Sequence, residues 1–289
     1  MSEHETVQST ATGLGSAVRE ARRDARLTLR QLADRIGVSA GTMSAIENDK
    51  VAVTVPRLQK MAGALGVPAS ILMISPTPVS SDVVTPVRDG VDRDEWRTFG
   101  SLRLDPVLTA AVEVFRETGY HGATMRTIAV SADISVAGIY HYYRSKQSLL
   151  VALVDLAIGD LAGRVDAAAM TEDPVQRFRD IVEAIALFHA VRGDLAFIVA
   201  TEARSLEAGD GRRIAEVRRR LQATLDKAAL DSVATGAFRS AIPRHTARTV
   251  ATMCMALPYW YSPRGPQSPS AIAAEYAALA LTMMEHRAS

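Results

Sequence analysis

The chain of 289 residues is long enough for one large domain or for two to three ordinary ones, each with a core of its own. Hydrophobic residues make up 48% and charged residues 22%, which argues against disorder, and no apolar run reaches the roughly 20 residues that a membrane-spanning helix needs. The formal net charge is +1, and Cys254 is the single cysteine, which excludes an internal disulfide framework and a multi-cysteine metal site.

Helical patterns dominate the chain. Residues 14–73 have the pattern of short helices, separated at Gly37, at 48–49 and at 66–68, where glycine, proline and short polar residues favour turns. The stretch 75–96 is rich in proline, serine and aspartate and lacks a sustained apolar period, which is typical of a linker. From Leu102 the helical pattern returns and continues nearly to the C-terminus, without alternating β-branched runs. We therefore predict an all-α fold.

A weak internal repeat recurs with an offset of 96 residues. Leu32-Ala33 and Gly37-Val38-Ser39 align with Ile128-Ala129 and Asp133-Ile134-Ser135. The spacing is that of a helix-turn-helix, in which the Gly or Asp takes the left-handed turn and the Ser caps the next helix. The predicted organisation is a flexible tail, a first head, a linker, a second head and a regulatory body, over residues 1–13, 14–74, 75–98, 99–152 and 153–289.

The first head, from Thr28 to Asn48 and on through the apolar residues up to Pro68, resembles the phage-repressor and Cro (Xre-type) helix-turn-helix family. The resemblance implies that the second motif helix enters the major groove and that the start of the first touches phosphates. It places these residues at the DNA: Arg30, Ser39, Ala40, Gly41, Thr42 and Ser44. Side chains as short as Ala40 and Gly41 cannot make bidentate contacts to adenine, so we expect this head to add affinity more than specificity. The alternative is a protein-interaction module.

The second head contains the run Ile-Tyr-His-Tyr-Tyr-Arg-Ser-Lys over 139–146 and is similar to the TetR-family DNA-binding domain. Arg126 has a guanidinium fork suited to guanine, and the resemblance places it at a base-reading position. The resemblance also implies groove-facing positions at Val136, Ala137 and Gly138, and backbone-contacting positions at Tyr140, His141, Tyr142 and Lys146. Lys146 adds a positive charge beside a helix N-terminus, where amide groups already favour a phosphate. The alternative for Arg126 is a solvated helix arginine.

The regulatory body contains predicted helical stretches over 175–191, 194–207, 212–236, 245–257 and 270–287, with punctuation at 209–211. In the TetR family this region forms a ligand pocket and a two-helix dimer face, which implies a homodimer. Apolar residues at helical spacing in the last two stretches fit such a face: Val250, Met253, Cys254, Leu257, Ile272, Ala273, Tyr276, Leu279, Ala280 and Met283. The alternative is that these residues form the core of one protomer.

The segment 258–269, with the run 202–206, resembles TetR relatives that control lipid and steroid catabolism and respond to coenzyme A thioesters. An aromatic pair followed by Arg264 suits a ligand with an adenine to stack and phosphates to pair. The predicted ligand contacts are Phe188, His189, Phe197, Met253, Trp260, Tyr261 and Arg264. The Tyr-Trp-Tyr run fits a buried loop anchor equally well.

Enzyme signatures such as a glycine-rich phosphate loop or a Gly-x-Ser-x-Gly elbow are missing from the sequence, and the six histidines are scattered, so we expect no catalytic or metal site and no cofactor. Because the first residues lack the features of a secretory signal, we expect a cytoplasmic protein. The resemblances imply a regulator that binds double-stranded operator DNA and is released by a small-molecule inducer, here an acyl or steroid-acid coenzyme A thioester. The alternative is a ligand-independent activator or architectural protein whose Xre-type head contacts proteins.

Overall fold

The computed structural model describes residues 14–69, 72, 95–102 and 104–286, with the side chain of His141 left out. The predicted tail over 1–13 and the linker over 75–94 lie outside these residues. In the described part of the chain every regular element is a helix, which confirms the all-α prediction. The described residues divide into two compact units, one containing 14–69, 72 and 104–149 and the other containing 95–102 and 150–286.

The first head folds as four helices, α1–α4, over Leu14–Asp24, Leu29–Ile36, Ala40–Glu47 and Val55–Leu65. Gly37 takes the left-handed conformation with φ 74° after α2, and the Ser39 hydroxyl accepts a hydrogen bond from the backbone N–H of Thr42, so the predicted turn and cap are both present. At Gly15 a Cβ would lie 2.5 Å from the carbonyl oxygen of Ile46, so the close approach of α1 to α3 requires glycine there. The core is apolar and contains Val18, Leu32, Met43, Ile46 and Met61.

The second head contains α5, α6 and α7, over Pro106–Gly122, Met125–Ser131 and Val136–Tyr142, and the start of α8, over Lys146–Ala168. Asp133 has φ 53°, so aspartate takes the left-handed turn as predicted. Ser135 caps α7 by accepting from the N–H of Gly138. Tyr143, which follows α7, donates a 2.6 Å hydrogen bond to Asp105, whose other carboxylate oxygen caps α5. The end of α7 is thereby bonded to the start of the second head.

The second unit holds the rest of α8 together with α9–α14, over Pro174–Val191, Gly193–Glu202, Ala208–Ala234, Pro243–Met255, Leu257–Trp260 and Pro269–Met283. The predicted helix break at 209–211 is wrong, because Gly209 and Gly211 lie in the first turn of α11. The first turn tolerates glycine because its N–H groups lack partners within the helix in any case. Among the described residues, no single helix has the length and apolar composition to cross a bilayer, and 174–191 with 193–205 meets those criteria only as a pair bent by 95°.

Two predictions about this unit need correction. Trp96, assigned to the linker, is 2% exposed and belongs to the main core, since a large indole gains most by burial. Most of the proposed dimer face is also buried within one protomer, namely Val250, Cys254, Leu257, Ile272, Ala273 and Ala280, because these residues pack against α9 and α11. The alternative of a protomer core is therefore the correct one for them, while Leu279 is 43% exposed.

Candidate nucleic-acid interface and ligand cavity

The predicted base-reading surface of the second head is open. Arg126 is exposed in the first turn of α6, and Ala137 is exposed at the start of α7. Val136 and Gly138 flank Ala137 and are half-buried. Small side chains here let a groove wall approach the helix closely, and the Arg126 guanidinium retains the fork that can donate two hydrogen bonds to guanine.

The predicted phosphate contacts of the second head are not equally accessible. Tyr142 is 49% exposed, whereas Tyr140 is half-buried. Lys146 is 7% exposed, and its ammonium donates a 2.9 Å hydrogen bond to the carbonyl oxygen of Ala123 and lies 4.3 Å from the ring centroid of Tyr120. Burial lowers the pKa of Lys146. The Lys146 ammonium is thus enclosed within the unit in this arrangement, and its contact with the DNA backbone stays a prediction.

The first head exposes Arg30, Ser39, Ala40 and Gly41. The hydroxyls of Ser39 and Thr42 lie 2.8 Å apart and bond each other at the start of α3. The Asn48 amide donates a 2.7 Å hydrogen bond to the carbonyl oxygen of Ser44. The same amide lies 3.5 Å from the Ser44 hydroxyl, so the hydroxyls of Ser39, Thr42 and Ser44 each have a local partner.

A cavity of about 200 Å³ lies within the second unit, between helices α8 to α12. Its wall is mainly aliphatic and aromatic, with Ile158, Leu161, Phe188, Val199 and Leu225 among the residues that line it. Three polar side chains also line it: His189, Arg218 and Gln222. A concave, mainly apolar cavity with a few polar groups is the usual form of a small-molecule site.

The polar groups of the cavity have distinct electrostatic states. His189 Nδ1 lies 2.7 Å from the carbonyl oxygen of Ile185, and burial lowers the pKa of the imidazole to about 4, so the ring is neutral near pH 7 with its proton on Nδ1. Arg218 donates a 3.2 Å hydrogen bond to the carbonyl oxygen of Val199, and burial lowers its pKa. Within the described residues no carboxylate forms an ion pair with Arg218, so the cavity carries a positive charge.

The predicted ligand contacts separate in the structure. Phe188 and His189 line the cavity, whereas Phe197, Met253, Trp260, Tyr261 and Arg264 lie outside its lining. Phe197 packs against the ring of Tyr259, Trp260 is 57% exposed, and Arg264 is exposed on a loop. Tyr261 donates to the carbonyl oxygen of Gln267 and packs against the core, so the alternative of a loop anchor fits it.

Sequence reasoning missed Arg218. Arg218 precedes Leu221, Gln222 and Leu225 at helical spacing, and all four line the cavity from α11. A basic residue on the apolar face of an otherwise charged helix was the available signal.

The matches to known protein families fall on the first head, the second head and the regulatory body. Residues 107–153 match a model described as bacterial regulatory proteins of the tetR family, 171–284 match a tetracyclin repressor-like C-terminal domain, and 18–72 match a helix-turn-helix model. The two TetR models together match more than half of the chain. UidR of Escherichia coli, an HTH-type transcriptional regulator, is 34% identical over 117 residues, which are 39% of this chain and 57% of UidR. The chain thus spans a little over half the length of the first curated relatives it matches.

Two further similarities extend over most of the other protein. The HTH-type transcriptional repressor KstR2 of Mycolicibacterium smegmatis is 27% identical over 184 residues, 62% of this chain and 89% of KstR2. The crystal structure of AibR in complex with isovaleryl coenzyme A and operator DNA has a TM-score of 0.55 at 21% identity, covers 63% of this chain and 97% of AibR, and shows the fold. TetR-family regulators bind operator DNA and small ligands and form dimers. The chain belongs to the TetR family of bacterial transcriptional regulators and carries an additional Xre-type helix-turn-helix domain ahead of the TetR domains.

Proposed function

We propose that this chain is a cytoplasmic homodimeric repressor that binds operator DNA and releases it when a small acyl compound enters the cavity of its regulatory unit. The observation that carries the ligand proposal is the partly open apolar cavity with the guanidinium of Arg218 in its wall. The DNA proposal is supported by the exposed Arg126 and the small residues of α7.

The cavity favours a compact ligand with one anionic or carbonyl group. A guanidinium in a desolvated wall, without a carboxylate partner among the described residues, gains most from an oxyanion or an acyl oxygen. The volume of about 200 Å³ lies below the roughly 300–1,000 Å³ of drug-sized sites, which favours a short acyl chain over a steroid nucleus. A free fatty acid and the acyl part of a coenzyme A thioester share this chemistry, and AibR, which is similar in fold, binds isovaleryl coenzyme A.

The test is release of DNA in a fluorescence-anisotropy titration, with a duplex taken from the region upstream of the chain's own gene. Octanoate, octanoyl coenzyme A and free coenzyme A are added separately. Release by octanoate identifies a free acid as inducer, and release by the thioester alone supports the coenzyme A class. Release by free coenzyme A would contradict a site for the acyl group.

Arg218→Gln should bind the duplex like the wild type and lose its response to the acyl compound. Arg219→Gln is the matched control, since Arg219 is the next residue of α11 but is exposed. Equal responses of both variants would contradict the role of Arg218. A wild type without affinity for the duplex, even before ligand is added, would contradict DNA binding at this site.

A further inference from the structure

The N-terminal end of α8, which belongs to the second head, is occupied by a carboxylate from the first head. Asp24 accepts a hydrogen bond from the backbone N–H of Lys146, the first residue of α8, and its Oδ1 lies 3.9 Å from the Lys146 ammonium. Asp24 and Lys146 are both buried. A helix N-terminus beside an ammonium is an anion site, and here the chain supplies the anion itself.

Two more interactions join the end of α1 and the turn after it to the second head. The Arg26 guanidinium donates a hydrogen bond to the carbonyl oxygen of Gly122, at the end of α5. Tyr140, on α7, lies close enough to Glu20 and Asp24 for both carboxylates to raise the pKa of its phenol, after the larger effect of burial. The end of α1 and the turn after it therefore bond to α5 and α8 of the second head, and the α1 carboxylates lie near Tyr140 of α7.

These contacts fall on groups that a DNA backbone would use. A phosphate and a carboxylate are both oxyanions, and both are favoured by an ammonium and by free N–H groups at a helix start. Tyr140 and Lys146 are two of the four positions to which the TetR resemblance assigns backbone contacts. One oxyanion at a time can occupy the start of α8, so Asp24 and a DNA phosphate compete for it.

We propose that the first head masks the edge of the second head formed by Tyr140 and the start of α8, because the Asp24 side chain occupies the place where a DNA phosphate would bind. This inference rests on the proposed DNA binding. The first head is then a regulatory element as well as a source of affinity, and the second head binds DNA fully only after Asp24 and Arg26 have left their partners. When only a fraction of the protein is in the unmasked, binding-competent state, the apparent Kd for DNA equals the intrinsic Kd divided by that fraction.

The main test uses the full chain with Asp24→Lys, which brings two ammonium groups together and should expel the first head. The control is Asp34→Lys, an equal change of charge at an exposed position of the same head. On a duplex of mixed sequence, which reports binding to phosphates alone, Asp24→Lys should bind about tenfold or more tightly than Asp34→Lys. The slope of log K against log salt should steepen by roughly 0.9 for each additional phosphate that the unmasked protein neutralises.

A second pair of variants separates masking from simple electrostatics. Arg26→Ala removes a positive charge and should still tighten DNA binding several-fold, because the bond to Gly122 is lost. Arg23→Ala, an equal loss of charge at an exposed position of α1, should weaken binding. Arg26→Ala also keeps the test valid if Asp24→Lys fails to fold, which thermal unfolding will show.

The outcomes distinguish this inference from the proposed function. If the variants bind DNA but each pair shows only the effect of its charge, the mask is wrong and DNA binding stands. If no form of the protein binds any duplex, the proposed function fails and the mask fails with it.

Discussion

Arg164 donates a 2.6 Å hydrogen bond to the carbonyl oxygen of Trp96. The same guanidinium donates to the carbonyl oxygen of Thr98 and stacks 3.3 Å from the ring centroid of Phe99. Arg97 in turn bonds Asp180 and Glu183 of α9. A segment that precedes the second head in the chain is therefore part of the regulatory unit, and it is bonded to α8 and α9, two of the helices that line the cavity.

Replacement of Trp96 tests the importance of this anchor. Trp96→Ala leaves a cavity in a tightly packed core and should lower the free energy of unfolding by about 3–5 kcal/mol. Trp260, the only other tryptophan, is exposed, and Trp260→Ala should change the free energy by no more than about 0.5 kcal/mol. Urea unfolding followed by circular dichroism measures both, and equal values would show that Trp96 does not anchor the segment.

Arg126→Ala should weaken binding to the best operator by about 1–3 kcal/mol and relax the preference at one base pair in each half-site, because a bidentate contact to guanine is lost. The control is Arg116→Ala, an equal change of charge at an exposed position on α5 of the same head. Selection of binding sites from a random library, followed by affinity measurements, tests this. Equal losses on operator and random DNA for Arg126→Ala would mean that Arg126 does not read a base.

Acid should destabilise the regulatory unit through His189. Burial lowers the pKa of this imidazole from 6.5 to about 4, so folding favours the neutral ring. The stabilisation is complete above pH 6.5 and is lost as the pH falls towards 4, with a loss of about 2 kcal/mol between pH 7 and pH 5. Urea unfolding at both pH values should show this loss in the wild type and in His245→Gln, an exposed control. His189→Gln should show a much smaller loss, and an unchanged one would assign it to another group.

The mask should respond to pH through Asp24. Burial raises the pKa of this carboxyl from 3.8 to about 6, with Lys146 opposing the rise, while Arg26, Glu20 and Tyr140 also lie at the contact. A raised pKa means that the masked state is strongest below pH 3.8 and weakens as the pH rises through 6. Apparent DNA affinity should therefore rise about tenfold from pH 5 to pH 7 relative to Asp24→Asn.

Asp24→Asn makes this test specific, because its amide oxygen can accept the same backbone N–H without a charge. The variant should stay masked and bind DNA more weakly than the wild type at pH 7, although it has lost a negative charge. Anisotropy titrations at pH 5 and pH 7 measure the affinity of both proteins. Histidines titrate in both, so their contribution cancels when the variant is compared with the wild type. Tighter binding by Asp24→Asn at pH 7 would contradict the pH dependence.

The sequence by itself determined the helical fold, the two helix-turn-helix motifs and their turn chemistry. Gly37 and Asp133 adopt the left-handed conformation, and Ser39 and Ser135 cap the helices that follow them. These features depend on interactions within about four residues, so the local residue pattern is enough to predict them. The exposure of Arg126 could be predicted for the same reason, since it follows from its place in the first turn of a short amphipathic helix.

Only the tertiary structure decided the rest, because those features join residues that are far apart in the chain. Of the predicted ligand contacts, Phe188 and His189 line the cavity, and Arg218 reaches it from a different helix. Trp96 resembles a linker residue until the core that encloses it is known. The Lys146 side chain has the chemistry of a phosphate ligand, but Asp24, 122 positions earlier, occupies the anion site beside it. Burial and partnership of a charged group depend on what packs against it, and local sequence does not contain that information.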